Sequence, residues 1–153
     1  MKICVASDNH WQMEPLKKIL RVCYDADYYF LLGDSEFTAD AILPFVSVRG
    51  NNDIFDDYPI ERIVEIEGFR FYMSHGHYHQ IHLGLAGLKR SAIENRCNVV
   101  LFGHTHRYLD EQEDGIRFLN PGSCRYNRDG SGPSFMELHI EKGNLQVKRV
   151  FLD

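Results

Sequence analysis

Five short polar clusters carry the residue types in this chain that could do chemistry. They are Asp8-Asn9-His10, Gly33-Asp34, Gly50-Asn51-Asn52-Asp53, Ser74-His75-Gly76-His77 and Gly103-His104-Thr105-His106. Imidazole nitrogens combined with carboxylate and amide oxygens suit a divalent ion of intermediate softness such as manganese, iron, zinc or nickel. Two such ions side by side need a ligand that bridges them, and a carboxylate has two oxygens for that role. Asp34, central in sequence order, is the natural bridge. Ions held about 3.5–4 Å apart can hold a hydroxide between them and clamp a phosphate across both. Binding to the metal lowers the water's pKa enough to supply that nucleophile near neutral pH. The charges of two divalent ions outweigh those of Asp8, Asp34 and one hydroxide, which leaves a residual positive site that a singly charged phosphodiester would come close to neutralising.

The elements that must position these clusters follow from the hydrophobic pattern. Every cluster sits where an apolar run ends: Lys2–Ser7, Tyr28–Leu32, Phe45–Val48, Phe69–Met73 and Val99–Phe102 read as buried strands. Pro15 opens a helix whose Leu16, Ile19, Leu20 and Cys23 recur at helical spacing, and Leu85, Leu88 and Ala92 outline a second. A short helical stretch is expected over Glu36–Leu43. Strand and helix alternate through the first third, which implies parallel pairing with loops gathered at one sheet edge. Glu67-Gly68, Asp114-Gly115 and Lys142-Gly143-Asn144 mark hairpin turns. The expected architecture is α/β, with two packed sheets and helices on their outer faces.

Composition narrows the function classes. A chain of 153 residues with 44% hydrophobic content suits one domain, spanning residues 1–153, with one well-buried core. A formal charge of −5 argues against an extended nucleic-acid surface. Cys4, Cys23, Cys97 and Cys124 are too scattered for a zinc knuckle or redox pair and read as reduced thiols. The apolar stretch before Asp8 is too short for a signal segment, and no run approaches a membrane span, so a cytoplasmic protein is expected. Strand pairs near the C-terminus could support a homodimer.

In order and spacing, Asp8-x-His10, Gly33-Asp34, Gly50-Asn51-x-Asp53, His75 and Gly103-His104-x-His106 resemble the calcineurin-like metallophosphoesterase superfamily. The short length, with Asn120-Pro121-Gly122-Ser123 and Pro133-Ser134, resembles its compact bacterial and archaeal phosphodiesterase branch, which also contains the retromer scaffold subunit. The resemblance implies that Asp8, His10, Asp34 and His106 hold one metal, while Asp34, Asn51, His75 and His104 hold the other. It further implies a four-layer α/β/β/α sandwich with the metals at the strand ends and the Asn120–Ser123 segment beside them. Manganese or a related ion, and direct attack on phosphorus without a covalent enzyme intermediate, follow from the same likeness.

The expected activity is hydrolysis of a small or nucleotide-like phosphodiester by a metal-bridging hydroxide, with Asp34, Asn51, His75 and His77 as the catalytic set. One departure bears on the substrate. Many phosphomonoesterases of the superfamily carry a histidine directly after the ligand asparagine, where this chain has Asn52, and an amide cannot act as a general acid at neutral pH. Good leaving groups are therefore expected, or another donor such as His77, which could equally line a polar loop. Asn52 and Arg125 are the candidate substrate-binding residues, and Arg128 could also grip a phosphate. Asp53 either orients a ligand or closes its turn. Trp11 either walls the site for a base or aryl group or packs under its loop. Cys124 lacks a neighbouring base and is not expected to be a nucleophile. The competing function is a protein-binding scaffold that keeps the fold with little or no catalysis. All seven ligand positions are filled, which favours the enzyme.

Overall fold

The computed structural model describes residues 1–152. Strands β1 (Lys2–Ala6), β2 (Tyr28–Leu31) and β3 (Val46–Ser47) pair in parallel, with Ala6 level with Leu31 and Leu31 level with Ser47. Helix α1 (Glu14–Val22) crosses between the first two, with Pro15 in its first turn, where a missing N–H costs nothing. The hairpin of β4 (Glu61–Ile66) and β5 (Phe69–Ser74) opens a second sheet, which helix α2 (Ala86–Glu94) and strand β6 (Val99–Leu101) extend in parallel. Strands β7 (Tyr108–Glu113) and β8 (Ile116–Pro121) complete that sheet, while β9 (Ser134–Glu141) and β10 (Asn144–Phe151) return to the first. The strand orders are β10-β9-β1-β2-β3 and β4-β5-β6-β8-β7.

The period-two alternation of each strand explains the four layers. Ile3 and Val5 of β1 point inward and meet Phe71, Met73, Leu101 and Leu119 of the other sheet, whereas Cys4 and Ala6 point outward onto Leu16 and Ile19 of α1. Tyr72, Val100 and Phe118 do the same for α2 through Leu88 and Ala92. Both faces of β1 and β6 are thus covered, which is why these strands are apolar runs rather than alternating ones. The result is an α/β/β/α sandwich with its main core between the sheets.

The three expected hairpin turns form, each with positive φ at both central residues, as in Asp114 (φ 51) and Gly115 (φ 77). The expected helix over residues 36–43 is not there. Only the single turn Asp40–Ile42 is helical, because Glu36 adopts a left-handed φ of 63 and its N–H is taken by Asp53. The third strand is also shorter than its apolar run. The C-terminal ends of β1, β2, β3, β5 and β6 lie together, and the five polar clusters are the loops that leave them.

Candidate metal centre

Three backbone or carboxylate acceptors decide which imidazole nitrogens face the centre. His75 Nδ1 lies 2.6 Å from the Leu32 carbonyl and His106 Nδ1 3.1 Å from the Tyr126 carbonyl. His10 Nδ1 lies 3.1 Å from Glu36 Oε2. Carbonyls and carboxylates only accept, so each Nδ1 carries a proton, and in the neutral ring it is Nε2 that has the lone pair. These nitrogens converge. His10 Nε2 and His106 Nε2 are 3.1 Å apart, and His75 Nε2 is 3.2 Å from His104 Nδ1 and 3.1 Å from Asn51 Oδ1. Ring nitrogens this close need a proton or a metal ion between them.

The carboxylates add to that convergence. Asp8 is buried, and its Oδ2 accepts from the Ser7 hydroxyl and the His104 N–H. Its Oδ1 has no hydrogen-bond partner, yet it lies 3.4 Å from His106 Nε2 and 3.6 Å from His10 Nε2. An orphaned buried carboxylate oxygen is costly without a cation. Asp34 Oδ2 stands between the two groups, 3.3 Å from His75 Nε2 and 3.9 Å from His10 Nε2. Ligand atoms each about 2.0–2.2 Å from one ion stand roughly 3–4 Å apart, so these separations fit shared coordination. Within each of two triads, Asp8-His10-His106 and Asp34-His75-His104, the ligand atoms all lie within 4.8 Å of one another. Asn51 Oδ1 joins the second through His104 Nδ1 at 3.1 Å. The donor set therefore fits two divalent ions, and Asp34 is placed to reach both.

Protonation in the bare protein reflects the same crowding. Burial lowers the pKa of His75, but Asp8 and Asp34 outweigh it and raise the value to about 9. Burial likewise works against the charged form of Asp8, yet His75, His10 and His106 hold it well below the usual carboxylate range. For Asp34, the same burial penalty is outweighed by His75, which lowers its pKa. The protein has gathered anions and imidazoles that keep a positive charge among them.

Close approach of the loops depends on glycines. A Cβ on Gly50 would lie 2.7 Å from Asp34 Cγ, and one on Gly103 would lie 2.8 Å from Asp8 Oδ2. The loops are also strained: Asp8, His10, Asp34, His104 and His106 all have positive φ, from 38 to 71. For residues with a Cβ this costs energy and persists only where surroundings enforce it. Asp53 is one enforcer. Its carboxylate accepts from the N–H groups of Asp34, Glu36 and Gly50 at 2.7–2.9 Å, so it holds two ligand loops by their backbones and does not merely close its own turn. Asn120 and Ser123 are others. Asn120 Nδ2 donates to Gly103 O and Thr105 Oγ1, and Ser123 Oγ donates to the Asp8 carbonyl.

The remaining sequence-derived candidates fare unevenly. Asn52 is at the site, but its N–H and Nδ2 donate to the two oxygens of Asp34 at 2.9 and 3.0 Å. His77 is at the rim, its ring 5.3 Å from that of His75. Burial, with His75 and His104 nearby, lowers its pKa to about 4, so it is uncharged at neutral pH. Arg125 donates from its guanidinium to the His10 carbonyl at 3.3 Å and lines a cavity of about 260 Å³ with Gln12, Glu14 and Lys18 beside α1. Trp11 is 55% exposed, so it does not pack under its loop. Cys124 is fully buried with its thiol pKa pushed up, which leaves it inert. Glu36 was not recognised from the sequence. Its position two residues after Asp34, in a chain with four candidate imidazole ligands to orient, is the only signal that could have found it. The orienting carbonyls of Leu32 and Tyr126 leave no mark in the sequence.

The family model for the calcineurin-like phosphoesterase superfamily domain matches residues 1–143. Over 151 residues the chain is 30% identical to the probable metallophosphoesterase YsnB of Bacillus subtilis, covering 97% of this chain and 89% of that protein. It is 26% identical over 164 residues to phosphodiesterase YfcE of Escherichia coli, covering 88% and 85% respectively. Among solved structures, a predicted phosphoesterase of Streptococcus pneumoniae matches with a TM-score of 0.90 at 28% identity, covering 98% of this chain and 88% of that one.

Proposed function

This chain belongs to the calcineurin-like phosphoesterase superfamily, and on that premise we propose that it is a dinuclear metal-dependent phosphodiesterase acting on a small or nucleotide-like phosphodiester. The observation that carries the reading is the convergence of the Nε2 atoms of His10, His75 and His106, within 3.4–3.8 Å, on the unpartnered Asp8 Oδ1. Asp8, His10, Asp34 and His106 would hold one ion and Asp34, Asn51, His75 and His104 the other, with manganese the expected metal and iron, zinc or nickel its alternatives. When bound, such a pair activates water near neutral pH and neutralises the charge of the phosphate it clamps.

The chain's own residues set the rest of the chemistry. Glu36, Leu32 O and Tyr126 O hold Nδ1 of His10, His75 and His106, so that each ring turns Nε2 to the site and would give it to a metal on losing that proton. Asn52 keeps its amide on Asp34 and has no acidic proton for a leaving alkoxide. His77, uncharged at neutral pH, is poorly suited to replace it. Esters whose leaving group departs without protonation are therefore preferred, which favours activated phosphodiesters over alkyl phosphomonoesters.

The test is hydrolysis of bis-p-nitrophenyl phosphate by the purified protein, before and after chelation, with manganese added back. Turnover should return with the metal and vanish in Asp34→Ala and His75→Ala. Turnover indifferent to chelation, or surviving both substitutions, would overturn the reading.

A further inference from the structure

Three of the loops that supply candidate ligands also supply an aromatic ring within four residues of a ligand. Trp11 follows His10, Phe37 lies three residues past Asp34, and Phe55 lies four past Asn51. The indole meets Phe55 at 5.0 Å between centroids and 72°, and Phe37 at 6.1 Å and 65°. Both contacts are edge-on, and 55% of Trp11 and 48% of Phe55 stay exposed, so among the described residues no ring stacks flat on the indole.

Stability does not explain this arrangement. Trp11 holds a φ of 66, which is costly for a bulky side chain, and the Ser35 carbonyl fixes it there by accepting its N–H at 3.1 Å. The strained backbone returns little burial. It does turn a large, rigid π surface outward, next to His10 and against the loop of Asp34. Continuity with the centre also says what would cover it: a flat group carried by the substrate itself.

Resting on the phosphodiesterase reading, we propose that Trp11, braced edge-on by Phe37 and Phe55, is the platform on which the nucleobase of a nucleoside phosphodiester stacks while its phosphate lies at the metal centre. Every base offers a π face, so such a platform selects for a base without choosing strongly among bases. It makes one side of the phosphodiester a nucleoside and leaves the other to the leaving group.

Trp11 is the only tryptophan of the chain, so its emission reports on the platform directly. Adenosine monophosphate titrated into the manganese-loaded protein should quench that emission saturably, whereas ribose phosphate should not. Kinetically, thymidine p-nitrophenyl phosphate and methyl p-nitrophenyl phosphate share a leaving group and differ only in the base-bearing side. The ratio of their kcat/KM values should fall about 5- to 150-fold in Trp11→Ala, the range expected for losing one stacked base. The loss should lie in KM, and Trp11→Phe should recover part of it. Because both esters are measured on one preparation, the ratio is independent of how much of a variant folds. An unchanged ratio, or equal quenching by the two phosphates, would overturn the platform. Hydrolysis of neither ester would instead sink the phosphodiesterase reading, and the emission titration would then decide the platform alone.

Discussion

Replacing Gly50 by alanine removes no ligand and adds one methyl group, yet it should disable the centre. The added Cβ would stand 2.7 Å from Asp34 Cγ, and closer still to Asp34 Oδ1 and N, where ordinary contact begins at 3.4 Å. The carboxylate must therefore retreat by about 0.7 Å or more, the gap between those two distances. It cannot do so freely, because Asp53 pins the backbone N–H groups of both Asp34 and Gly50. A displacement near 1 Å at a reacting centre costs on the order of 100-fold in rate. Manganese-dependent hydrolysis of bis-p-nitrophenyl phosphate should fall about 100-fold in Gly50→Ala, with manganese affinity weakened in a chelator competition. The control is Gly143→Ala, in the β9–β10 turn. Its φ of 79 strains an alanine but its Cβ would meet nothing within 4 Å, so it should lose about 1 kcal/mol of stability and keep its activity. Full manganese-dependent activity in Gly50→Ala, at a folded fraction matching Gly143→Ala, would refute the claim that Asp34 is held in place by that close approach.

Three further outcomes follow from the same geometry. Glu36→Leu should weaken metal binding by about 10- to 100-fold by freeing the His10 tautomer, while Glu36→Gln, whose amide oxygen still accepts, should lose less; isothermal titration with manganese measures both. Asn52→His should raise turnover of an alkyl phosphomonoester by about 100-fold or more and change an aryl phosphodiester far less, since only the poorer leaving group needs the proton; equal effects on both would count against the leaving-group argument. Saturation with manganese at about 100 times its Kd should stabilise the fold by roughly 2.7 kcal/mol and raise the melting temperature by about 5–11 °C. A scan of the chelated and loaded protein checks this, and the shift should be absent in Asp34→Ala.

Much of the site was legible because its ligand types are chemically specific and fall at strand ends. Buried parallel strands announce themselves as apolar runs, and the residues that follow β1, β2, β3, β5 and β6 are gathered by sheet order alone. The turns at Glu67-Gly68, Asp114-Gly115 and Lys142-Gly143 were equally plain, since few residue pairs accept positive φ twice in succession. What escaped is what depends on backbone direction. The helix expected over residues 36–43 has good local propensity, but the left-handed Glu36 and the amides held by Asp53 override it. The role of Asp53, the tautomer-fixing carbonyls of Leu32 and Tyr126, and the bond from Arg125 to the His10 carbonyl are tertiary facts with no periodicity or spacing to betray them.

The central claim is that Asp34 is shared between two cations, and anomalous diffraction from manganese-loaded crystals tests it most directly. Two peaks about 3.5–4 Å apart should flank the Asp34 carboxylate, one beside Asp8, His10 and His106 and the other beside Asn51, His75 and His104. A single peak that Asp34 does not touch, or no peak among these side chains at saturating manganese, would contradict it.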